Sequence, residues 1–357
     1  MTVIDPLGSV GRSPLVRISA PVPQPHPGYF AKIEALGLGG LKARSALSML
    51  QGAHRRGELR EGARIVESTS GTLGIGLAYV AQSMGHPITL VVDCELEPPM
   101  RNLLRALGAT LEIVHEPHPD GGWQRARLDT LHHILACEST AFWPNQYDNP
   151  DNAAGYRGLP DEIVTDLAAV GVERAEVLVC SVGTGGHSSG VGGRLRQLWP
   201  ELRIIGVDAL GSAIFGQPAT HRVMRGLGSS VHPGNVRYAM FDEVHWVGPR
   251  EAVNACRALA RGGFHTGGWS TGAAATVAGW AASQWKGAVV TIFPDGPDRY
   301  LSTIFDDHWC DQRALLEPPR TTPHEIDDCR DHTLCWTRCQ SVIAPDVATT
   351  VWTGAAG

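Results

Sequence analysis

The chain has 357 residues, of which 43% are hydrophobic and 18% charged, values typical of a globular protein with one large or two medium-sized cores. Its net charge of −6 and the absence of a basic stripe argue against a nucleic-acid partner. No apolar run is long enough to cross a bilayer, and the N-terminus lacks a signal-peptide pattern, so we expect a cytoplasmic protein without a membrane partner.

Short apolar segments alternate with helical patterns along most of the chain. Strands are predicted at residues 64–67, 87–93, 110–114, 175–180, 202–208 and 288–293. Helices are predicted at residues 74–84, 100–106 and 194–198. This alternation predicts twisted, mostly parallel sheets flanked by helices, which is the α/β fold class.

The two sets of strands predict two domains. We expect a smaller, mobile domain over residues 44–150 and a larger domain over residues 151–314 that also takes in the N-terminal segment 1–43. Residues 315–357 are rich in Pro, Thr, Asp and Cys, and we expect a C-terminal extension with little core of its own.

Two glycine-rich segments carry the strongest functional signal. Lys42 lies in GLGGLKAR at 37–44, and the loop SVGTGGH at 181–187 follows a predicted strand. A glycine loop between a strand and a helix presents backbone N–H groups to an anion, and a lysine amine can bind the aldehyde of pyridoxal phosphate (PLP). The second loop alone fits equally well a dinucleotide fold in which Asp208 would contact a ribose.

Four further segments narrow these alternatives. The segment ESTSGTLG at 67–74 ends a strand and opens a helix, a place where hydroxyl and N–H groups suit a carboxylate, although alone it fits a simple helix cap. The others are GWSTGAA at 268–274, PDGPDRYLST at 294–303 and GRSPLVR at 11–17.

Taken in order, these segments resemble the cysteine synthase and cystathionine β-synthase-like family of the fold type II PLP enzymes over about residues 8–310. The resemblance implies a two-domain fold similar to that of the tryptophan synthase β subunit, with PLP as the cofactor. It also implies a homodimer.

The resemblance implies the following cofactor contacts. Lys42 would form the Schiff base and move the α-proton of the substrate. Ser270 would contact the pyridine nitrogen of PLP, and Thr72 its phenolic oxygen. The phosphate cradle would consist of Gly183, Thr184, Gly185, Gly186 and His187.

The resemblance also implies a substrate site. Thr69, Ser70 and Gly71 would close on the substrate carboxylate, with Leu73 beside them and Gln146 nearby. Arg225 lies where some relatives that use O-phosphoserine carry an arginine, so it would hold a phosphate leaving group. Its alternatives are a solvent-facing side chain or one that binds the chain's own backbone.

Several positions depart from the family pattern. Thr72 replaces an asparagine, Leu73 replaces a threonine or glutamine, and His187 replaces the threonine that ends the cradle. A histidine there would donate to the phosphate, as a cation in one interpretation. Gly40 and Ala43 replace a serine and an aspartate around Lys42. These departures favour a specialised reaction over housekeeping cysteine synthesis.

The predicted function is a PLP-dependent β-replacement on an O-activated L-serine, either O-acetylserine or O-phosphoserine. The reaction would pass through an aminoacrylate intermediate and give cysteine or a β-substituted alanine. Alternatives are a lyase that releases pyruvate and ammonia, a 2,3-diaminopropionate-type synthase with an amine nucleophile, and a non-catalytic relative that binds cofactor or partners.

The remaining polar and aromatic residues give weaker signals. The eight cysteines form no CxxC pair and the fifteen histidines form no HExxH pattern, so we expect reduced thiols and no metal site. A metal site at residues 329–339, which include His332, is the less favoured alternative. Trp269 is expected at the edge of the cofactor. Asp295, Asp298 and Arg299 are expected to form a supporting ion pair.

Overall fold

The computed structural model describes residues 6–21, 26–119, 121–331 and 333–345. The residues outside these ranges include His332 and positions 346–357 of the predicted extension. Strands of the described part are β1 (Leu15–Ile18), β2 (Tyr29–Ile33), β3 (Ile65–Ser68), β4 (Ile88–Asp93), β5 (Thr110–Val114), β6 (Ala175–Ser181), β7 (Arg203–Ala209), β8 (Glu243–Val247), β9 (Ala288–Phe293), β10 (His324–Ile326) and β11 (Trp336–Cys339). Its α-helices are α1 (Leu41–Arg55), α2 (Thr72–Ser83), α3 (Pro98–Ala106), α4 (Gly122–Cys137), α5 (Pro150–Ala154), α6 (Gly158–Ala169), α7 (Gly193–Leu198), α8 (Pro249–Arg261), α9 (Trp269–Gln284) and α10 (Asp307–Asp311).

The larger sheet has eight strands in the order β1-β2-β9-β6-β7-β8-β11-β10. Five central strands, β2, β9, β6, β7 and β8, run parallel to one another. On either side of this group, β1 pairs antiparallel with β2, and β11 pairs antiparallel with β8. The central strands are buried on both faces, as their continuous apolar sequences require. One face packs against α8 and α9, whose alanine-rich surfaces allow a close approach.

The smaller sheet has three parallel strands in the order β3-β4-β5. It shares an apolar core with α1 and α2, built around Met49, Leu50, Leu77 and Leu90. The predicted domain boundary at residue 44 falls inside α1, so the helix that carries Lys42 starts in the N-terminal segment and packs against the smaller sheet. The division into domains stays a prediction.

The α/β fold class predicted from the sequence is confirmed, and the predicted strands agree with β3 to β7 and β9 to within about two residues. Strands β1, β2, β8, β10 and β11 were not predicted from the sequence. The expectation for the C-terminal extension was wrong in one respect. Residues 324–339 add two strands to the larger sheet, and Trp336 lies in its apolar core with 1% of its surface exposed.

The topology brings several loops to one cleft between the sheets. The carboxyl ends of β3, β6 and β9 lead into residues 69–71, 182–187 and 294–297. The first turns of α1 and α9 reach the same place. Ligands of open parallel sheets bind at the carboxyl ends of the strands, so this cleft is where the fold predicts a site.

Candidate active site

Lys42 lies in the first turn of α1 and points into a cavity of about 750 Å³. The turn before it is fixed by Gly40, whose φ of +53° suits glycine and whose neighbour Leu41 donates its N–H to the Pro294 carbonyl at 2.8 Å. The lysine Nζ donates to Thr184 Oγ1 at 3.2 Å and has no carboxylate partner among the described residues. Burial lowers the pKa of Lys42 to about 8, which increases its neutral, nucleophilic fraction near neutral pH.

The helix that presents Lys42 is anchored by Arg44, one half-turn further along. Its guanidinium binds Glu34 through Nε at 2.7 Å and Nη2 at 2.9 Å, and Glu162 through Nη1 at 2.8 Å and Nη2 at 3.0 Å. Arg44 and Glu34 are both buried. Two bidentate pairs hold a planar guanidinium firmly, so they fix the start of α1 relative to the larger sheet.

The glycine loop forms the opposite side of the cavity, and Gly183 and Thr184 line it. Gly185 has a φ of +80°, and a side chain at Gly185 or Gly186 would collide with Val236 or Asn152, respectively. The helical turns that follow begin at Gly186 rather than at the predicted residue 194, because Gly186, His187 and a π-helical segment, Ser188–Gly192, precede α7. The loop therefore faces the cavity directly from the start of a helix.

Asn152, a residue that the sequence interpretation missed, connects the two sides of this site. Its side-chain amide donates to Thr184 Oγ1 at 3.1 Å and to the Gln146 carbonyl at 2.5 Å. It lies on α5, which starts at Pro150 with Asn149 as its N-cap, and is 1% exposed. The cap signal was visible in the sequence, but the contact with Thr184 is a tertiary one.

His187 lines the cavity as predicted, and its surroundings disfavour the cationic form. Burial, and to a smaller extent the Lys42 ammonium, lowers the pKa of His187 to about 3. Its ring lies edge-on to Tyr156, with the ring centroids 6.1 Å apart. A neutral imidazole still carries one N–H group, so His187 retains a single donor.

Ser270 lies in the first turn of α9 and lines the cavity, together with Thr72 at the start of α2. The neighbouring Trp269 does not fulfil its expectation. It is buried in the core of the larger sheet against Tyr300 and Trp309, because successive helical residues point about 100° apart. Ser270 therefore faces the cavity while Trp269 faces the sheet.

The loop between β3 and α2 lines the cavity from the smaller sheet through residues 69–73. Thr69 Oγ1 accepts the N–H of Gly71 at 3.2 Å, which keeps the turn compact. Gln146 lies beside this loop and donates its side-chain amide to the Ser68 carbonyl at 2.9 Å. Glu67, fully buried, accepts the backbone N–H groups of Ser68 at 2.8 Å and Gln146 at 3.2 Å, and burial raises its pKa to about 7.

Arginines form the remaining wall of the cavity. Arg225 lines it as predicted but is bound to Asp93, with Nη2 and Oδ1 2.5 Å apart. Arg127 and Arg222, which the sequence interpretation missed, line the same wall. Arg127 also binds Asp93, and these two arginines hold the pKa of Asp93 below its usual value although burial alone would raise it.

This wall retains unused hydrogen-bond donors. Arg127 Nε and Arg225 Nη1 are buried and have no hydrogen-bond partner among the described residues. Arg222 donates to the Gly211 carbonyl and to Ser230 Oγ, both at 3.0 Å, and burial lowers its pKa. Arg225 Nη1 also lies 3.9 Å from Glu95 Oε2. Three guanidinium groups therefore stand against the two carboxylates of Asp93 and Glu95, and this excess of positive charge suits an anionic group.

Two other sequence-based expectations were wrong in their details. Asp208 is fully buried, accepts the N–H of Ala209 at 2.8 Å and does not reach the cavity as a ribose ligand would. Asp295 accepts the Tyr300 hydroxyl at 2.7 Å rather than pairing with Arg299, which turns away toward Glu97 at 3.4 Å. Among the described residues, no cluster of His, Cys, Asp and Glu has the arrangement of a metal site.

The cavity fits PLP. The Lys42 amine has only the Thr184 hydroxyl as a hydrogen-bond partner, at 3.2 Å, and Gly183 and Thr184 line the same cavity of about 750 Å³. Lys42 would hold the aldehyde, the loop at 183–187 the phosphate, and Ser270 the ring nitrogen. A lysine and a glycine loop that line one cavity between two mainly parallel sheets are the features of a PLP-dependent enzyme of fold type II.

Comparison with known proteins supports this assignment. The family model described as "Pyridoxal-phosphate dependent enzyme" matches residues 7–295, so the chain belongs to this family. An N-(2-amino-2-carboxyethyl)-L-glutamate synthase of Cupriavidus metallidurans is 35% identical over 323 residues, 88% of this chain and 93% of that protein. The protein of the same name from Ralstonia nicotianae is 34% identical, over 84% of this chain and 89% of its own length.

Solved structures agree with these relatives. A structure of O-ureido-L-serine synthase has a TM-score of 0.78 and 28% identity, covering 86% of this chain and 96% of that one. The O-acetylserine dependent cystathionine β-synthase of Helicobacter pylori has a TM-score of 0.77 and 27% identity, covering 85% and 98%. These findings confirm the predicted family, the PLP cofactor and a β-replacement enzyme of the cysteine synthase type.

No helix of the described residues is long and apolar enough to cross a membrane.

Proposed function

We propose that this enzyme joins the β-carbon of an O-activated L-serine to an amine nucleophile that carries carboxylate groups. The observation that carries the proposal is the wall formed by Arg127, Arg222 and Arg225, where three guanidinium groups stand against the two carboxylates of Asp93 and Glu95. A carboxylate on the nucleophile would match this excess of positive charge and the planar fork of a guanidinium, whereas sulfide would not use that fork. The names of two relatives describe a product in which glutamate carries an amino-carboxyethyl group, and a comparable product is proposed here.

In this proposal the lobe with the larger sheet holds the cofactor, and the smaller one holds the donor. Bound PLP would supply an electron sink for charge at the donor's α-carbon. Lys42, with its lowered pKa, would remove the α-proton and later return it at the same atom. N–H groups and hydroxyls of Thr69, Ser70 and Gly71 would hold the donor carboxylate. Leu73 and Gln146 would border this subsite.

The arginine wall would receive the nucleophile. Arg222 would take one carboxylate through donors not used by Gly211, and Arg127 and Arg225 would share the other while they stay bound to Asp93. In this arrangement the free amine of the nucleophile would point into the cavity that Lys42 also lines. Arg225 also remains a candidate for a phosphate leaving group, which would make O-phosphoserine the donor.

A comparison of nucleophiles with a single donor tests the proposal. Purified PLP-loaded enzyme receives O-acetyl-L-serine or O-phospho-L-serine with glutamate, glutamine or sulfide, and the products are identified by mass spectrometry. We expect the dicarboxylate to react best. The Arg222→Gln variant should lose about 10- to 100-fold in kcat/KM for glutamate, the effect of one lost charged hydrogen bond.

The reaction with sulfide is the internal control, because it should be nearly unchanged by Arg222→Gln. Arg125→Gln is the control for the loss of an arginine outside the wall. Arg125 lies on the same helix as Arg127 but pairs with Asp129 at the surface. A preference of the parent enzyme for sulfide, or an equal loss with both nucleophiles, would contradict the proposal. Pyruvate as the main product would favour the lyase alternative.

We further propose that the enzyme is a cytoplasmic homodimer. Free thiols at all eight cysteines are consistent with a reducing compartment, and the family resemblance supports the dimer. Light scattering of the purified protein at micromolar concentration tests the dimer. A monomeric mass would contradict it.

A further inference from the structure

Arg299 connects the two halves of the molecule at the substrate loop. It lies in a 3₁₀ turn, Asp298–Tyr300, after β9 of the larger sheet, and its side chain is 6% exposed. Its Nη2 donates to the Ser70 carbonyl at 2.5 Å, and both Nε and Nη2 lie 3.4 Å from Glu97 Oε2. Ser70 and Glu97 both belong to the half that contains the smaller sheet.

Contacts also connect Arg299 to the side of the cavity that carries Lys42. Its guanidinium lies 5.6 Å from the ring centroid of Tyr300, whose hydroxyl donates to Asp295 at 2.7 Å. Asp295 follows Pro294, whose carbonyl accepts the N–H of Leu41 next to Lys42. A short chain of contacts therefore runs from the substrate loop through Arg299 to the start of α1.

The contact with Ser70 determines how the loop faces the cavity. A peptide group has its C=O and N–H on opposite sides, so holding the Ser70 carbonyl toward Arg299 turns the following N–H, that of Gly71, the other way. Gly71 also packs against Arg299, because a Cβ at Gly71 would lie 3.3 Å from its Nη1. Glu97 accepts hydrogen bonds from Nε and Nη2 of the guanidinium and keeps it from rotating away.

We infer that Arg299 is a positioning residue which, together with Glu97, holds the 69–71 loop closed over the donor. The inference rests on the proposed role of this loop in binding the donor carboxylate. A loosened loop would bind the donor less well and admit water to the site. Water then diverts the donor: each molecule consumed takes up one water and releases its leaving group, pyruvate and ammonia, instead of forming a new bond at the β-carbon.

Three variants and one control test this inference on the PLP-loaded enzyme. The variants are Arg299→Gln, Glu97→Gln and their combination, and the control is Arg250→Gln, which removes a surface ion pair with Glu317 of 2.8 Å. The measurements are the PLP dissociation constant, the KM of O-acetyl-L-serine and the pyruvate formed per donor consumed. We expect Arg299→Gln to raise this KM about ten-fold and to increase the pyruvate share, with PLP affinity unchanged.

The combination of variants adds a second criterion. Glu97→Gln should show the same changes to a smaller extent, and the double variant should be no worse than Arg299→Gln alone, because both act through one contact. Arg250→Gln should match the parent. Reduced PLP affinity and kcat with an unchanged donor KM and pyruvate share would overturn the inference, as would fully additive effects.

Hydrogen exchange separates this inference from the proposed function. In Arg299→Gln without any substrate, backbone amides of residues 69–73 should exchange faster than in the parent, while those of β6 and β9 should not change. This result is expected even if no donor and nucleophile react. Unchanged exchange of the loop would overturn the inference whatever the activity, and Glu97→Gln, at a partly exposed site, provides the same measurement if Arg299→Gln does not fold.

Discussion

Lys42 differs in its surroundings from the other two lysines of the chain, Lys32 and Lys286. Lys32 is 1% exposed and is held by Asp166 at 2.8 Å and Glu162 at 3.1 Å. Lys286 is exposed at the end of α9, before β9. Of these three lysines only Lys42 lines the cavity, so Lys42 is the candidate for attachment of the cofactor.

We expect borohydride reduction of the PLP-loaded enzyme to attach the cofactor to Lys42. Peptide mass spectrometry should find the label on the peptide that contains residue 42, and Lys42→Ala should lose both the label and the visible absorbance of bound PLP. Lys286→Ala is the control and should keep both. Labelling of Lys286 or Lys32 in the native enzyme would contradict the assignment.

The ion pairs of Arg44 at the start of α1 should contribute to the stability of the fold. We expect Arg44→Met to lower the free energy of unfolding by about 3–5 kcal/mol, because Glu34 would remain buried without its partner. Chemical denaturation measures this, with Arg250→Met as the exposed control that should change stability far less. Equal losses of unfolding free energy in both variants would show that the Arg44 network stabilises the fold no more than a surface ion pair does.

At the scale of elements, the C-terminal strands β10 and β11 show what a local pattern leaves out. Their sequences, HEI and WTRC, are only three and four residues long, too short to show the alternating pattern that predicts a strand. Strand β11 pairs with β8, its Arg338 binds the buried Glu243, and Trp336 donates to His245 Nδ1 at 3.1 Å. The extension is thus part of the larger sheet.

Replacing Trp336 measures the contribution of this element. We expect Trp336→Ala to lower the free energy of unfolding by about 3–5 kcal/mol, because it leaves a cavity beside Trp280 and removes the partner of His245. The neighbouring Leu334→Ala, at a side chain that is 41% exposed, is the control. A loss no larger than that of the control would mean that the extension is only loosely attached.

At the scale of the whole molecule, buried carboxyl groups connect stability to pH. Burial raises the pKa of Asp208 to about 7, well above its value in an unfolded chain. The folded protein therefore retains a proton that the unfolded chain has released. The resulting stabilisation is complete below the unfolded pKa and is lost as the pH rises toward 7, at about 1.4 kcal/mol for each unit of pKa difference.

The Asp208→Asn variant should remove this dependence, since an amide cannot release the proton. We expect the free energy of unfolding of the variant, relative to the parent, to be higher at pH 8 than at pH 5. Urea denaturation at both pH values measures the difference. The control Asp129→Asn, at a partly exposed position on α4, should differ from the parent by the same amount at both pH values. A pH-independent difference for Asp208→Asn would contradict the pKa shift.

The sequence by itself determined the α/β class, six of the eleven described strands and the family. Strand periodicity and glycine loops are local patterns, and Lys42 and the loop at 183–186 are recognisable because backbone conformation restricts which residues fit there. Their specific roles at the site stay predictions. The sequence also indicated Arg225, but as an isolated side chain.

Only the tertiary structure decided how distant side chains combine. Arg127 and Arg225 meet at Asp93 from segments about 100 residues apart, Arg222 lines the same wall, and no local pattern encodes such a meeting. The structure likewise lowered the pKa of His187 and brought Arg299 to Ser70, because burial and neighbouring charges depend on the packed chain. The lysine and the glycine loop are local features, whereas the proposed subsite for an anionic nucleophile and the proposed closure of the 69–71 loop depend on packing.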